Sequence, residues 1–207
     1  MPKRSILITS RLFFGFLTLA SLTTSFIYFV IQRGYNGVNF FSFFTNLTNI
    51  FAATVLIAGA IHILRRKEPT ETDDIIRGSA TVAIAIVGLV FGLLLSQMDN
   101  EMIPWTNFVV HYLMPVVMVV DWLLQPPQSR LRPKHIWFWL IYPITYLIYS
   151  LIHGEATNWY PYWFIDPNTS PGGWTGVALF AAAITIGFIF VSFTLLWLGN
   201  KLERNIL

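Results

Sequence analysis

The chain has no cysteine, few charges and no alternation of apolar with polar residues along its apolar runs. Without a thiol, disulfides, thiolate metal sites and cysteine nucleophiles are excluded. Only 11% of the 207 residues are Asp, Glu, Lys or Arg while 55% are hydrophobic, a balance too apolar for an ordinary soluble domain. The missing alternation argues against a transmembrane barrel, whose strands alternate lipid-facing and lumen-facing residues. A net charge of only +3 is no nucleic-acid footprint, and no nucleic-acid partner is expected.

What the chain does have is six apolar runs, at 8–32, 41–64, 77–97, 107–124, 135–152 and 174–198. Each is about the ~20 residues that a membrane-spanning helix needs. The expected fold is all-α: a polytopic membrane protein whose residues 1–207 form a single six-helix transmembrane domain. Short loops make consecutive helices antiparallel neighbours. Basic residues gather at the start (Lys3, Arg4, Arg11), around the second loop (Arg65, Arg66, Lys67, Arg77), in the fourth (Arg130, Arg132, Lys134) and in the tail (Lys201, Arg204). By the positive-inside rule both termini face the cytoplasm, and loops 33–40, 98–106 and 153–173 face outward. The basic start resembles a signal peptide, but the apolar stretch behind it exceeds the roughly 7–15 residues of such a segment, so it reads as a retained first helix.

An ionisable residue within a spanning run marks a functional site by default, and His111 lies in NFVVHYLMPVVMVVDWLL. Thr45 enters the second run at a similar depth, about ~6 Å below the outer edge at 1.5 Å per residue. A hydroxyl and an imidazole in one water-poor cavity form a nucleophile and its base. Thr45, Thr48 and Asn49 fall at i, i+3 and i+4 and share a helix face. The competing roles are structural: a threonine bonding the carbonyl one turn back, or His111, Asn46 and Asn49 bridging helices. Asn46 and Asn49 could also supply donors to an oxyanion. Tyr142, Tyr146, Tyr149 and His153 form one helical stripe, whose upper members, Tyr149 and His153, could complete the polar cavity.

Asp121, ten residues beyond His111, lies roughly 15 Å deeper, too far to orient that imidazole directly. It is expected to pair with Arg130, Arg132 or another basic group. Asp99, Glu101 or Asp166 could reach His111 from the outer loops. The loop HGEATNWYPYWFIDPNTSPGG is rich in aromatic residues and proline, fitting either a cap over the site or an interfacial belt. Gly88 and Gly92 form a small-xxx-small pair suited to close helix approach. His62, His111, His135 and His153 lie at two levels, and His111, His153 and Asp166 are metal-ligand types, yet no HExxH-like spacing supports a metal. No metal and no organic cofactor are expected.

At FSFFTNLTNI, HYLMPVVMVVDWLL, YPITYLIYSLIHG and NWYPYWFID the chain resembles the bacterial predicted six-transmembrane (Pr-six-Pr) membrane protein family. That family is related to the animal androgen-induced membrane threonine hydrolases of fatty acid esters of hydroxy fatty acids. The resemblance covers nearly all six helices. Its most specific pieces are His111, Pro115, Asp121 and Trp122, and the loop from Trp159 to Tyr162. It implies a threonine hydrolase with Thr45 as nucleophile and His111 as base, and Thr48, one turn on, as the alternative nucleophile. It further implies a lipid ester substrate and residence in the bacterial inner membrane, and the depth of Thr45 and His111 puts the site near the outer face. Asn46, Asn49, Tyr149 and His153 would support the site or the oxyanion. A non-enzymatic lipid-binding or transport protein is the alternative reading, and the oligomeric state is left open.

Overall fold

In the computed structural model, residues 2–98 and 101–203 are described, with side chains from 4–98 and 101–202. These residues form an all-α bundle with no strand among them, and six of the helices are long and apolar enough to span a membrane. Helix α1 (Pro2–Phe26) continues as a π turn, Ile27–Gln32. A short α2 (Gly37–Phe41) precedes α3 (Phe44–Leu64). Helix α4 (Glu71–Val90) runs into a second π turn, Phe91–Leu95. The fourth span is composite: α5 (Pro104–Phe108), a π turn at Val109–Leu113, and α6 (Met114–Leu124). Helices α7 (Ile136–Thr157) and α8 (Trp174–Glu203) complete the bundle.

Bonds between elements set the polarity. The Arg4 guanidinium donates to the Ile63 carbonyl, and Asn200 bonds both backbone groups of Leu131. The start of α1 and the end of α8 therefore share one face of the bundle with the loops after Leu64 and Leu124. The segments after Gln32, Leu95 and Thr157 lie at the opposite face.

Helix α4 is the central helix: 56% of its spanning window is buried, against 22% for α8. Its short side chains let neighbours approach, because lipid offers no hydrophobic drive between helices and packing must come from small residues and polar contacts. At Gly88 an added Cβ would lie 3.0 Å from Pro115 and 3.3 Å from the His111 carbonyl oxygen. A side chain there would push the fourth span away. Gly92, its partner in the small-xxx-small pair, meets nothing within 4 Å and plays no packing part. The bundle's outer surface is apolar, with Leu93, Phe190 and Trp137 each at least 71% exposed. Exposed apolar area on this scale needs lipid around it, and the protein is a multi-pass integral membrane protein.

Two helix starts differ from the sequence expectation. Helix α4 begins at Glu71 rather than 77, because Thr70 and Asp73 form a reciprocal capping box that satisfies the first free N–H groups. Around 41 the expected second helix is broken: α2 ends at Phe41, Phe43 is extended at φ −75° and ψ 127°, and α3 starts at Phe44. Thr45 therefore sits in the first turn of a helix rather than one turn inside it.

Candidate active site

The break before α3 leaves backbone N–H groups that need acceptors, and Phe43 supplies no side-chain cap. Two tyrosines take that place. Tyr146 Oη accepts the Phe44 N–H at 3.2 Å and donates to the Ser42 carbonyl at 2.9 Å. Tyr162 Oη accepts the Thr45 N–H, also at 3.2 Å. The tyrosine stripe of α7 thereby becomes a ladder against α2 and α3. Tyr142 bonds Thr48 Oγ1 at 3.0 Å, Tyr149 bonds Ser42 Oγ at 2.6 Å, and His153 Nε2 bonds Asn39 Oδ1 at 3.0 Å.

One threonine hydroxyl on this face takes no partner from α7. Thr45 Oγ1 lies 3.4 Å from His111 Nε2 and 3.4 Å from Tyr162 Oη. On the far side of the imidazole, His111 Nδ1 lies 2.6 Å from Asn107 Oδ1. An amide oxygen only accepts, so Nδ1 carries the proton and Nε2 presents its lone pair to Thr45. Phe91 stacks on the ring, with centroids 3.8 Å apart and planes 16° apart. Thr45 and His111 are only 8% and 5% exposed, so little water competes for these bonds. Both Phe91 and His111 stand on π turns. Such i→i+5 turns are rare and recur at functional sites, where they re-aim a side chain at small cost.

Thr45 also lies where two cavities meet. One of about 110 Å³ runs between α4, α7 and α8 and is lined by apolar residues such as Val87, Leu140, Ile144, Ile184 and Phe188. The other, about 600 Å³, is lined by His111, Ser25, Asn36, Asn39, Asn46 and Glu101 among others. Both include Thr45, Phe91, Leu95 and Tyr162 in their walls. The aromatic loop after α7 closes over this junction: Phe164 and Ile165 are buried, and Trp159 and Tyr162 set their ring edges against Phe43 at 5.5 and 5.7 Å. Burial pushes the Tyr162 hydroxyl up from its ordinary value, so it keeps its proton and can donate.

The other residues singled out from sequence lie around this centre. Thr48 is held by Tyr142. Asn49 donates its amide to the Thr45 and Val110 carbonyls at 2.9 and 3.2 Å, tying α3 to the π turn that carries His111. Asn46 donates to the Phe40 carbonyl. Tyr149 and His153 hold the α2–α3 break through Ser42 and Asn39 rather than touching Thr45. Among the carboxylates proposed for His111, Glu101 lines the larger cavity but bonds Tyr35 and Arg33; Asp166 bonds Asn168. Asp99 lies outside the described residues. Asp121 pairs with Arg11, at 2.6 and 2.9 Å, and with Arg77 at 3.5 Å, in place of Arg130 or Arg132. The sequence reading missed Asn107, Phe91 and Tyr162 as site residues. Asn107 had a legible signal in its i, i+4 spacing to His111, and Tyr162 lies in the aromatic loop that the sequence offered as a cap over the site.

Fold and site together define a multi-pass helical membrane protein with a hydroxyl–imidazole–amide chain whose hydroxyl and imidazole are buried. Comparison with protein-family models, curated proteins and solved structures finds no match.

Proposed function

We propose that this protein is a carboxylic ester hydrolase that cleaves a lipid ester within the membrane, with Thr45 as nucleophile and His111 as general base. The observation that carries the reading is the chain Thr45–His111–Asn107, with 3.4 and 2.6 Å links and its hydroxyl and imidazole buried. A free site often holds such contacts somewhat long and tightens them on substrate. A threonine is a weak nucleophile unaided, and here its activating base is itself oriented by a third group, as nucleophilic catalysis demands.

In this reading His111 Nε2 takes the Thr45 hydroxyl proton as Oγ1 attacks the ester carbonyl carbon. Asn107 holds the ring so that Nε2 faces Thr45 throughout. The oxyanion forms at the N-terminus of α3, where the helix dipole favours negative charge, and the Tyr162 hydroxyl donates to it. Collapse breaks the bond to the alcohol oxygen, which takes the proton from His111. Water, deprotonated by His111, then attacks the acyl carbon, and His111 returns that proton to Oγ1 as the acyl–Oγ1 bond breaks. The resemblance to the bacterial six-transmembrane family and its animal threonine-hydrolase relatives supports the same pair. It also supports a bacterial inner-membrane location, with termini and basic loops cytoplasmic and the site near the outer face.

The test is hydrolysis of a panel of lipid esters, including a fatty acid ester of a hydroxy fatty acid, by the purified protein and by Thr45→Ala, His111→Ala and Thr48→Ala. Thr45→Ala and His111→Ala are expected to fold and to lose activity, His111→Ala by about 10²–10⁴-fold; Thr48→Ala is expected to stay active. A folded wild type inert toward every ester would overturn the reading in favour of lipid binding or transport.

A further inference from the structure

His111 decides which half of an ester goes where. It must return its proton to the leaving alcohol, so the alcohol oxygen sits on the imidazole side of Thr45. The imidazole lines the larger cavity and is absent from the walls of the apolar one. The acyl chain therefore occupies the apolar cavity between α4, α7 and α8, and the alcohol half occupies the larger one.

The larger cavity has a definite chemistry. Asn36 Oδ1 accepts from the Val38 and Asn39 N–H groups, and Asn39 Oδ1 bonds His153. Each thus keeps its amide N–H₂ without a partner among the described residues. Asn46 spends its N–H₂ on the Phe40 carbonyl and keeps its oxygen. Glu101, 60% exposed, stands in the same wall with Tyr35 donating to it at 3.1 Å. No Lys or Arg is among the described lining residues; the guanidinium of Arg33 lies 3.7 Å from Glu101 and over the Tyr28 ring. Neutral donors and acceptors suit hydroxyl groups, which both give and accept, and with Arg33 already paired to Glu101 the described lining offers a carboxylate no unpaired cation.

Resting on the esterase reading, we propose that the alcohol half of the substrate is a neutral polyol of the glycerol type, with its free hydroxyls on Asn36, Asn39, Asn46 and Glu101. An alcohol half that carries a carboxylate is disfavoured. The bond broken is the one between acyl carbon and polyol oxygen, water is the co-reactant, and the products are a fatty acid and the free polyol.

The experiment compares kcat/KM on monodecanoylglycerol and on the decanoyl ester of a hydroxystearic acid, for wild type and Glu101→Lys in the same detergent. Wild type is expected to favour the glycerol ester by about tenfold or more, the scale at which a site's polar groups discriminate. Glu101→Lys is expected to narrow or reverse that ratio. Preference of the wild type for the carboxylate-bearing ester, or a ratio unmoved by Glu101→Lys, overturns the polyol assignment and leaves the esterase reading standing. Failure to cleave either ester or a p-nitrophenyl decanoate control sinks both.

Discussion

At the residue scale the site depends on one tautomer. Asn107 accepts from His111 Nδ1–H at 2.6 Å, and with that bond gone the ring can rotate or carry its proton on the nitrogen facing Thr45. Asn107→Ala is expected to lower kcat by on the order of 10-fold to 100-fold with little change in KM, since misplaced catalytic groups cost rate rather than binding. Asn107→Asp preserves an acceptor and is expected to recover most of the rate; steady-state kinetics with a pH profile checks both, and an unchanged kcat in Asn107→Ala would remove the positioning role. Tyr162→Phe removes the donor nearest Thr45, and a kcat loss of about 10²–10³-fold is expected, the usual cost of one oxyanion donor. Circular dichroism must stay unchanged for that loss to count as chemistry.

At the scale of elements, the ladder from α7 to the α2–α3 break is what holds Thr45 in a helix's first turn. Its rungs are unequal. Tyr142→Phe removes only the bond to Thr48 and is expected to cost about 1 kcal/mol, the net worth of a single hydrogen bond, with kcat unaffected. Tyr146→Phe orphans both the Phe44 N–H and the Ser42 carbonyl. It is expected to cost roughly 1–3 kcal/mol and to reduce kcat as well, because Thr45 is the next residue. Thermal unfolding in detergent beside an activity assay separates the two; equal effects from both variants would argue against the ladder. Gly88→Leu acts on another pair of elements, forcing α4 away from Pro115 and the π turn that carries His111. Overpacking of this kind costs typically about 1–3 kcal/mol, and here activity should fall further than stability because the displaced turn carries the proposed base.

At the scale of the whole molecule, the bundle carries the candidate site at one end and an ionic clamp at the other. The clamp is Asp121, 6% exposed, between Arg11 at 4% and Arg77 at 9%, with Arg77 also bonding Asp74 and the Gln125 carbonyl. It joins the first, third and fourth spans toward the face that carries the start of α1 and the end of α8. Asp121→Ala leaves the Arg11 guanidinium buried without its carboxylate while Arg77 keeps Asp74 and the Gln125 carbonyl, and a loss of about 3–5 kcal/mol is expected from breaking one partner of such a network. The readout is unfolding or the yield of inserted protein. Wild-type stability in Asp121→Ala would mean that water reaches these groups and that the clamp contributes little.

Composition and run length alone determined the class of fold, because lipid requires every backbone group to be satisfied within the segment and about ~20 apolar residues suffice to show where that happens. The helical stripe on α7 and the shared face of Thr45, Thr48 and Asn49 were likewise legible, since periodicity records which side chains leave a helix together. The sequence could not show which threonine faces His111: that depends on the rotation of two helices about their own axes, settled by the break at Phe43 and the π turn at Val109–Leu113. Nor could it show that Tyr162, in an aromatic loop with no periodicity, folds back to cap the first turn of α3. The partners of Asp121 were hidden for the same reason, because Arg11 lies 110 residues away along the chain. Long-range juxtaposition follows from packing, which only the tertiary structure decided.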